Sequence, residues 1–440
     1  LKMNGELYYI QADGTIRTGT FRLGKRTFQT DEKGVLTGVS YNRDDAFYEE
    51  DRAYFGGDSL YAANPDGGNR QQLWSENVNR EGDPDAVDCV WVENGRIYFY
   101  YFGTLYSMNP DGSQQTELKL RGNGIVFEDA EDLCVQDGVI YLTSSDPEYG
   151  TGRFAAFDSG GNRLPYPEAV FGGCPDQLQV EDGWMYFLQT EDGLHYGPEA
   201  CDGFLCRASL TDSRIQQITE EKIDSYFVYG DTAYCMQNGA MIRVSVSSAA
   251  AASQEKQNQF WADPEAYYEN FAESELRSAY GSSSWAQGGA LSEGILGCAV
   301  ENIDQEATDE LAVVRLKAQN GGYSVVLDVY RMFAGRIVKL GECVLGPASQ
   351  SGQHGEAKVI LGRLGAYWTI QYGGRTWADG QEAFGGISWD SVYGCQFEAR
   401  YLSHVVEWDD RYVPESAGTE YANSALMEAG EAKTLFQVSW

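Results

Sequence analysis

The sequence predicts a mainly β protein: a β-propeller of about five four-stranded blades, with N-terminal β-hairpin repeats and a C-terminal α+β domain. Three observations predict it. The middle of the chain repeats with a period near 44 residues. Near the start, a shorter segment occurs twice in similar form. The last third has one amphipathic helix followed by strands of alternating apolar and polar residues. We expect four segments: hairpins 1–38, a propeller 39–248, a patternless polar linker 249–259, and the α+β domain 260–440.

The long repeat is anchored by tyrosines at intervals of 44, 43, 45 and 48 residues: Tyr54, Tyr98, Tyr141, Tyr186 and Tyr234. Each unit places a short strand before an acidic or Asn-Gly turn, and the next strand carries the tyrosine. Further strands follow until the next unit. Four antiparallel strands in roughly 40–45 residues are typical of a propeller blade.

Two "NPDG" phrases, at 64–67 and 109–112, could be mistaken for metal loops. Proline presets φ, aspartate tolerates the turn and glycine takes the positive φ, so we interpret both as β-turns.

The fifth unit has only three strands before the chain changes character at Ser247. A propeller must close its ring, so we predict that Val35–Tyr41 supplies the missing fourth strand.

The phrase "IYF…LYxMNPDGS" resembles an uncharacterised propeller family of secreted proteins in Gram-positive bacteria, and the resemblance covers residues 39–248. It implies an extracellular or cell-surface location and says little about activity.

At the start, "GELYYIQADGTIRTG" aligns with "GKRTFQTDEKGVLTG" at an offset of 19 residues. Over residues 4–38 the chain resembles the cell-wall repeats of choline-binding and glucan-binding proteins. That resemblance implies aromatic positions that hold a quaternary ammonium group or stack on sugars: Tyr8, Tyr9, Phe21 and Phe28. The tryptophans of that family are absent and only two units are visible, so a structural cap is the alternative interpretation.

In the last third, Asp263 and Pro264 suit the cap and first position of a helix that Gly281 ends. Three alternating strands follow, joined by "QNGG" and "FAGR" turns, and later strands include "AYWTIQYGG" and "FEARYLSHVVEW".

The segment "NIDQEATDEL" resembles the "DxDxDGxxEL" loop of bacterial surface proteins, which binds calcium in its full form. The matching positions with oxygen ligands are Asn302, Asp304, Glu306 and Glu310. Asn and Glu replace two aspartates and Ala307 replaces the glycine, so a degenerate loop that leads into a strand is the alternative. Calcium is the one cofactor that the sequence suggests.

The formal net charge of −34 repels nucleic-acid phosphates and anionic lipid, so we exclude both as partners. No run of 18 apolar residues could span a membrane. Leu1 is not an ordinary initiator residue, so we expect a mature or trimmed chain and infer no compartment from the lack of a leader.

Nine cysteines form no CxxC pair. Cys201 and Cys206 are close enough in sequence to bridge a loop, and we interpret most others as buried thiols.

The chain has three histidines and lacks the G-x-S-x-G, H-E-x-x-H and P-loop motifs. Long loops of the third and fourth units carry aromatic and imidazole side chains that suit a sugar surface: Tyr149, Tyr166, His195 and Tyr196. The alternative is that these tyrosines pack against their own loops. We therefore predict a non-catalytic binding or scaffolding protein at the bacterial cell envelope, with a cell-wall or host glycan as ligand. The alternatives are an extracellular carbohydrate-active enzyme with its site on the propeller face, and a propeller that binds an extracellular protein.

Overall fold

The computed structural model describes the chain except residues 43–45, 76–86, 102, 121–131, 147–150, 165–169, 173–174, 190–201, 212–213, 284, 286–290, 302–308, 320, 349–353, 365–366, 378–390, 399–400, 408–432 and 440. It is mainly β, as predicted. The chain divides into two compact units, unit 1 (Leu1–Gln254) and unit 2 (Glu255–Trp440).

Unit 1 begins with a short hairpin and a three-stranded sheet. The hairpin pairs β1 (Lys2–Met3) with β2 (Glu6–Leu7). The N-terminal sheet has the order β3 (Gly19–Leu23), β4 (Arg26–Thr30), β5 (Leu36–Tyr41). The expected division between residues 38 and 39 therefore falls inside β5, and the opening residues belong to the same compact unit as the repeats.

Five small antiparallel sheets make up the rest of unit 1, each in chain order. The first is β6 (Ala46–Tyr48), β7 (Ala53–Phe55), β8 (Leu60–Ala63), β9 (Gln71–Trp74). The second is β10 (Val87–Glu93), β11 (Arg96–Tyr101), β12 (Thr104–Met108), β13 (Thr116–Leu118). The third is β14 (Asp132–Gln136), β15 (Val139–Asp146), β16 (Thr151–Asp158), β17 (Val170–Gly172). The fourth is β18 (Pro175–Glu181), β19 (Trp184–Gln189), β20 (Phe204–Ser209), β21 (Ile215–Gln217). The fifth is β22 (Ser225–Tyr229), β23 (Thr232–Gln237), β24 (Ala240–Ser245).

The sheets follow the sequence repeat closely. Each anchoring tyrosine lies on the second strand of its sheet and is at most 7% exposed, so the repeat marks core positions. Both "NPDG" turns are confirmed: the Gly67 amide donates to the Asn64 carbonyl oxygen at 2.8 Å, and the Gly112 amide to that of Asn109 at 2.9 Å. In each turn the aspartate carboxylate accepts a hydrogen bond from the backbone amide two residues further along the chain. This carboxylate therefore stabilises the turn.

The prediction that Val35–Tyr41 completes the fifth sheet is wrong. Strand β5 pairs with β4, placing Val39 opposite Phe28, and the fifth sheet has three strands among the described residues. The cause is local: the Asp31 carboxylate accepts the Lys33 and Val35 amides and turns the chain straight back along β4. Closing so short a loop loses less chain entropy than pairing with a strand some 200 residues away.

Neighbouring sheets contact one another through their first strands. Strand β6 contacts β10, β10 contacts β14, β14 contacts β18, and β18 contacts β22. The N-terminal sheet lies against both ends of this series, because β5 contacts β22 and the Gly24 amide donates to the Tyr48 carbonyl oxygen of β6 at 2.7 Å. Apolar side chains fill the space between adjacent sheets, as where the first sheet packs on the second.

The segment expected to be an irregular linker is helical. Helix α1 (Val246–Ala262) includes all of residues 249–259, and the division between the two units falls within it. Alanine, glutamine, glutamate and lysine are strong helix formers, so the lack of an apolar stripe did not mean a lack of structure.

Unit 2 opens with the predicted helix. The Asp263 carboxylate caps α2 (Pro264–Phe271) by accepting the Ala266 amide at 3.1 Å. A π-helical turn (Ala272–Leu276) leads to α3 (Arg277–Tyr280), and Gly281 ends it at φ 73°. The start and the end of the predicted helix are confirmed.

Two antiparallel sheets follow. One has four strands in chain order: β25 (Gly294–Glu301), β26 (Glu310–Gln319), β27 (Gly322–Phe333), β28 (Arg336–Ala348). The other has the order β32 (Tyr401–Glu407), β31 (Ser391–Glu398), β30 (Tyr367–Trp377), β29 (His354–Leu364), β33 (Lys433–Ser439). The predicted turns at "QNGG" and "FAGR" join β26 to β27 and β27 to β28, whereas "FEARYLSHVVEW" divides between β31 and β32. Among the described residues, every helix is too short or too polar to cross a membrane.

Candidate ligand-binding cavity

A cavity of about 640 Å³ opens in unit 1 between the N-terminal sheet and the first strands of the small sheets. Pockets of roughly 300–1,000 Å³ are typical for small ligands. The structure brings the four aromatic positions implied by the wall-repeat resemblance together on its lining: Tyr8, Tyr9, Phe21 and Phe28.

Those four side chains differ in how far a ligand could reach them. Phe21 and Phe28 are 5% and 8% exposed, and their rings stack on each other with centroids 5.6 Å apart. The Arg17 guanidinium lies 4.6 Å from the Phe21 centroid, so the chain itself supplies a cation to one face of that ring. Tyr8 and Tyr9 are partly exposed and form the accessible part of this wall.

Other aromatic lining residues come from strands that the wall-repeat resemblance does not cover. Tyr48 on β6, Trp91 on β10 and Phe227 on β22 line the cavity, and Tyr229, which also lines it, is 40% exposed. The Phe227 ring packs edge-on against Phe28, with centroids 5.1 Å apart. The 44-residue period is the sequence signal for these residues, because Tyr48, Trp91 and Phe227 all lie on first strands of the repeated sheets.

The cavity lining carries charges of both signs. Its basic residues, Lys25 and Arg26, are 5% and 6% exposed. Among its acidic residues, Glu49 is partly exposed, and Glu50 and Asp51 are exposed. The Tyr9 hydroxyl donates to the Glu50 carboxylate at 2.7 Å. Partial burial and this carboxylate raise the pKa of Tyr9 to about 12, so its hydroxyl keeps its proton at neutral pH.

Arg26 is held by strands from three different sheets. Its Nε donates to the Tyr226 carbonyl oxygen at 3.0 Å and its Nη2 to the Gln177 carbonyl oxygen at 3.3 Å. The guanidinium carbon lies 5.4 Å from the Tyr41 ring centroid and 5.3 Å from that of Tyr226. Gln177 sits in a β-bulge at φ 60°, which turns its carbonyl out of the ladder. Among the described residues, the hydrogen bonds of this guanidinium go to backbone carbonyls and none to a carboxylate.

A buried carboxylate lies near Lys25. Asp132 is 3% exposed, and it accepts the Leu178 amide at 2.7 Å, the Leu133 amide at 2.8 Å and the Tyr41 hydroxyl at 2.8 Å. Burial raises the pKa of Asp132 to about 6, and the positive charge of Lys25 opposes that shift. Burial next to this carboxylate also raises the pKa of Tyr41 well above its usual value.

Apart from Glu310, the remaining sequence-predicted positions fall outside the part of the chain that the structure describes. Tyr149, Tyr166, His195 and Tyr196 lie outside the described residues, as do Asn302, Asp304 and Glu306 of the calcium-loop-like segment. Glu310 begins β26 and is 1% exposed. Within the described ranges, no group of three or more His, Cys, Asp or Glu side chains is placed to hold a metal ion. Calcium stays a prediction.

Comparison with known proteins finds no matching family and no matching curated protein. Distant structural likenesses include the Kuenenia stuttgartiensis hydrazine synthase (8% identity, 74% of this chain and 73% of that one, TM-score 0.27). The extracellular domain of a one-component system from B. thetaiotaomicron is 10% identical, over 92% of this chain and 65% of that one, with a TM-score of 0.28. The AfRom2 CNH domain is 5% identical, over 65% of this chain and 90% of that one, with a TM-score of 0.25. At these scores the likenesses carry no inference about fold or function.

Proposed function

We propose that the protein is a non-catalytic glycan-binding protein of the bacterial cell envelope and that the aromatic cavity of unit 1 is its ligand site. The observation that carries the proposal is the lining, in which aromatic side chains from several strands occur together with three carboxylates. Aromatic faces pack on the apolar faces of sugar rings, and carboxylates accept sugar hydroxyl groups. The secreted location rests on the resemblances in the sequence.

We further propose that the five small sheets are blades of a β-propeller and that the N-terminal sheet fills the gap between the first and the last blade. Two contacts support this arrangement: Gly24 bonds to Tyr48 of the first sheet, and the Ser225 hydroxyl of the fifth sheet donates to the Val39 carbonyl oxygen at 2.7 Å. In this arrangement the N-terminal sheet closes the ring of blades, and the cavity lies between this sheet and the blades.

The test is co-sedimentation of the full chain with isolated Gram-positive cell walls. Point variants suit it better than a deletion of residues 1–38, which would remove β3, β4 and the start of β5. The site variants are Tyr8→Ala and Tyr229→Ala, at two partly exposed cavity positions. The matched control is Tyr61→Ala, a partly exposed tyrosine on β8 outside the cavity lining.

We expect the parent chain and Tyr61→Ala to sediment with walls, and the cavity variants to lose about fivefold in affinity, since stacking of an aromatic ring contributes on the order of 1 kcal/mol. Equal sedimentation of all four would remove the cavity as the ligand site. Release of reducing sugar from the walls would replace the proposal with the enzymatic alternative. No sedimentation of any form would favour a protein partner.

A further inference from the structure

The fifth sheet of unit 1 differs from the other four small sheets at its outer edge. In those four sheets a fourth strand (β9, β13, β17 or β21) pairs antiparallel with the third. Strand β24 is the third strand of the fifth sheet, and among the described residues it pairs with β23 alone. Its outer edge therefore presents backbone amide and carbonyl groups that the other sheets use for pairing.

The register of the sheets identifies the residue beside which a fourth strand would pack. Two positions before the partner of the anchoring tyrosine, the first, second, fourth and fifth sheets carry Leu60, Leu105, Leu205 and Met241. The three leucines are fully buried, whereas Met241 is partly exposed. Each leucine lies opposite a buried apolar residue on or next to the fourth strand: Trp74, Leu118 and Ile218.

The backbone of β24 is oriented for such pairing. A two-residue turn at Asn238 and Gly239, both at positive φ, joins β23 to β24. Cross-strand hydrogen bonds alternate from such a turn, so the amide and the carbonyl group of Met241 point away from β23. At the same position of the fourth sheet, the Leu205 carbonyl oxygen accepts the Ile218 amide at 2.7 Å.

Both faces of the fifth sheet are already packed. Met236 and Met241 pack against the apolar cluster that includes Phe28 of the N-terminal sheet. On the other face, Ile242 and Val244 pack against the cluster that includes residues of the fourth sheet. A further partner therefore fits at the edge of β24, where main-chain hydrogen bonds supply affinity and the neighbouring side chains supply specificity.

We propose that the outer edge of β24 binds an extended segment of a partner protein as an antiparallel fourth strand, with an aliphatic side chain beside Met241. The fourth strands of this chain indicate the ligand class, because Thr116–Leu118 and 216–218 both read polar, polar, aliphatic. These segments already pair within their own sheets, so the occupant comes from another protein. Met241 does not line the aromatic cavity, so this site is independent of the proposed glycan site.

The probe is a synthetic peptide of residues 114–120, "QQTELKL", which contains β13. Its affinity for the full chain is measured by fluorescence anisotropy, and hydrogen exchange locates the bound peptide. At about ten times the dissociation constant, exchange at the edge of β24 should slow about tenfold. Strands β12 and β20, which already have a fourth strand, should not change.

Three altered peptides test the mode of binding. In β13, Leu118 lies opposite Leu105, and the alternation of the ladder turns the Glu117 amide the other way. N-methylation of the Leu118 amide should weaken binding about tenfold, since it removes a main-chain hydrogen bond, whereas N-methylation of the Glu117 amide should not. Leu118→Ser should also weaken binding about tenfold, because it removes the aliphatic side chain.

One pair of protein variants tests the site. Met241→Ser removes the partly exposed side chain at the edge and should weaken peptide binding about fivefold. The matched control is Met236→Ser, because Met236 is partly exposed, lies opposite Met241 on β23 and packs in the same apolar cluster. It should leave the affinity for the peptide unchanged.

The outcomes are separate from those for the glycan site. Absence of peptide binding, protection away from β24, or equal affinity of the two N-methylated peptides would overturn the inference, whether or not the protein sediments with walls. Protection of the β24 edge before peptide is added would also overturn it: in a monomer this chain covers the edge itself, and in a dimer a second copy does. Should Met241→Ser fail to fold, the two N-methylated peptides decide the question on the parent chain.

Discussion

Replacing Asp132 by asparagine should change how the stability of unit 1 depends on pH. The carboxylate is buried and accepts hydrogen bonds from Leu133, Leu178 and Tyr41. Its pKa rises from about 3.8 in the unfolded chain to about 6 in the fold. Between these values the folded state binds more protons than the unfolded state, so the group's contribution to stability falls as pH rises.

The expected size follows from that interval. One pKa unit corresponds to about 1.4 kcal/mol, and at pH 4 the carboxyl of the unfolded chain is already more than half ionised. The ionised carboxylate therefore lowers the free energy of unfolding by about 2 kcal/mol at pH 7 relative to pH 4. Asparagine does not titrate. The difference in unfolding free energy between the variant and the parent should therefore change by about 2 kcal/mol across that range, in the direction that favours the variant at pH 7. If the asparagine side chain places its amide nitrogen beside the Leu178 amide, the hydrogen bond from that amide is lost, and the resulting loss in unfolding free energy is the same at every pH.

The assay is native-state hydrogen exchange at pH 4, 5, 6 and 7, read on peptides from β14 and β15. Asp66→Asn, at an exposed turn position, is the control, because it removes one negative charge and leaves the buried carboxylate in place. All other titrating groups are the same in the two variants, so their effects cancel in the comparison. Parallel pH curves for the parent and Asp132→Asn would refute the reasoning, because they would mean that the carboxylate does not titrate in this interval.

Three further predictions concern unit 2. A methyl group at Gly297 would lie 2.3 Å from the Leu435 carbonyl oxygen, so Gly297→Ala should lower the unfolding free energy by about 1–3 kcal/mol in urea, and an unchanged midpoint would contradict the close approach of β25 and β33. Asp263→Ala should cost about 1 kcal/mol through loss of the α2 cap, with Asp263→Asn near neutral as its control. The pKa of Glu342 is lowered to about 2: partial burial opposes this shift, and Lys317, Lys339 and Arg315 outweigh it. Its stabilising contribution should be present above about pH 4.5 and lost as pH falls toward 2, and Glu342→Gln should flatten that part of a melting-temperature profile.

Much of the fold was predictable because it depends on local patterns. The tyrosine period located the second strand of all five small sheets, and Asp263, Pro264 and Gly281 marked the ends of a helix. These signals act within a few residues, where turn and cap chemistry decides the backbone. Helix α1 could not be recognised from an apolar stripe, because it has none; its only local signal is the helix propensity of its alanines.

The cavity could be predicted only in part. The hairpin aromatics were identified through a resemblance, whereas Trp91 and Phe227 reach the same cavity from strands well over a hundred residues apart in sequence. Arg26 was not identified, although adjacent basic residues at a hairpin turn of so acidic a chain are a signal that could have singled it out. Pairing across such separations is set by tertiary packing, which no local pattern contains.

The bonds that tie the opening residues to the fifth sheet determine when unit 1 can finish folding. Lys2 donates to the Thr232 hydroxyl and Glu6 pairs with Arg243, across sequence separations of 230 and 237 residues. The packing of Phe28 on Phe227 and these two bonds can therefore form only after the fifth sheet has been synthesised. Such non-local closure slows folding and lengthens the time in which apolar segments can associate wrongly. Such a chain aggregates less if its first strands are kept from contact with other chains until the fifth sheet is complete.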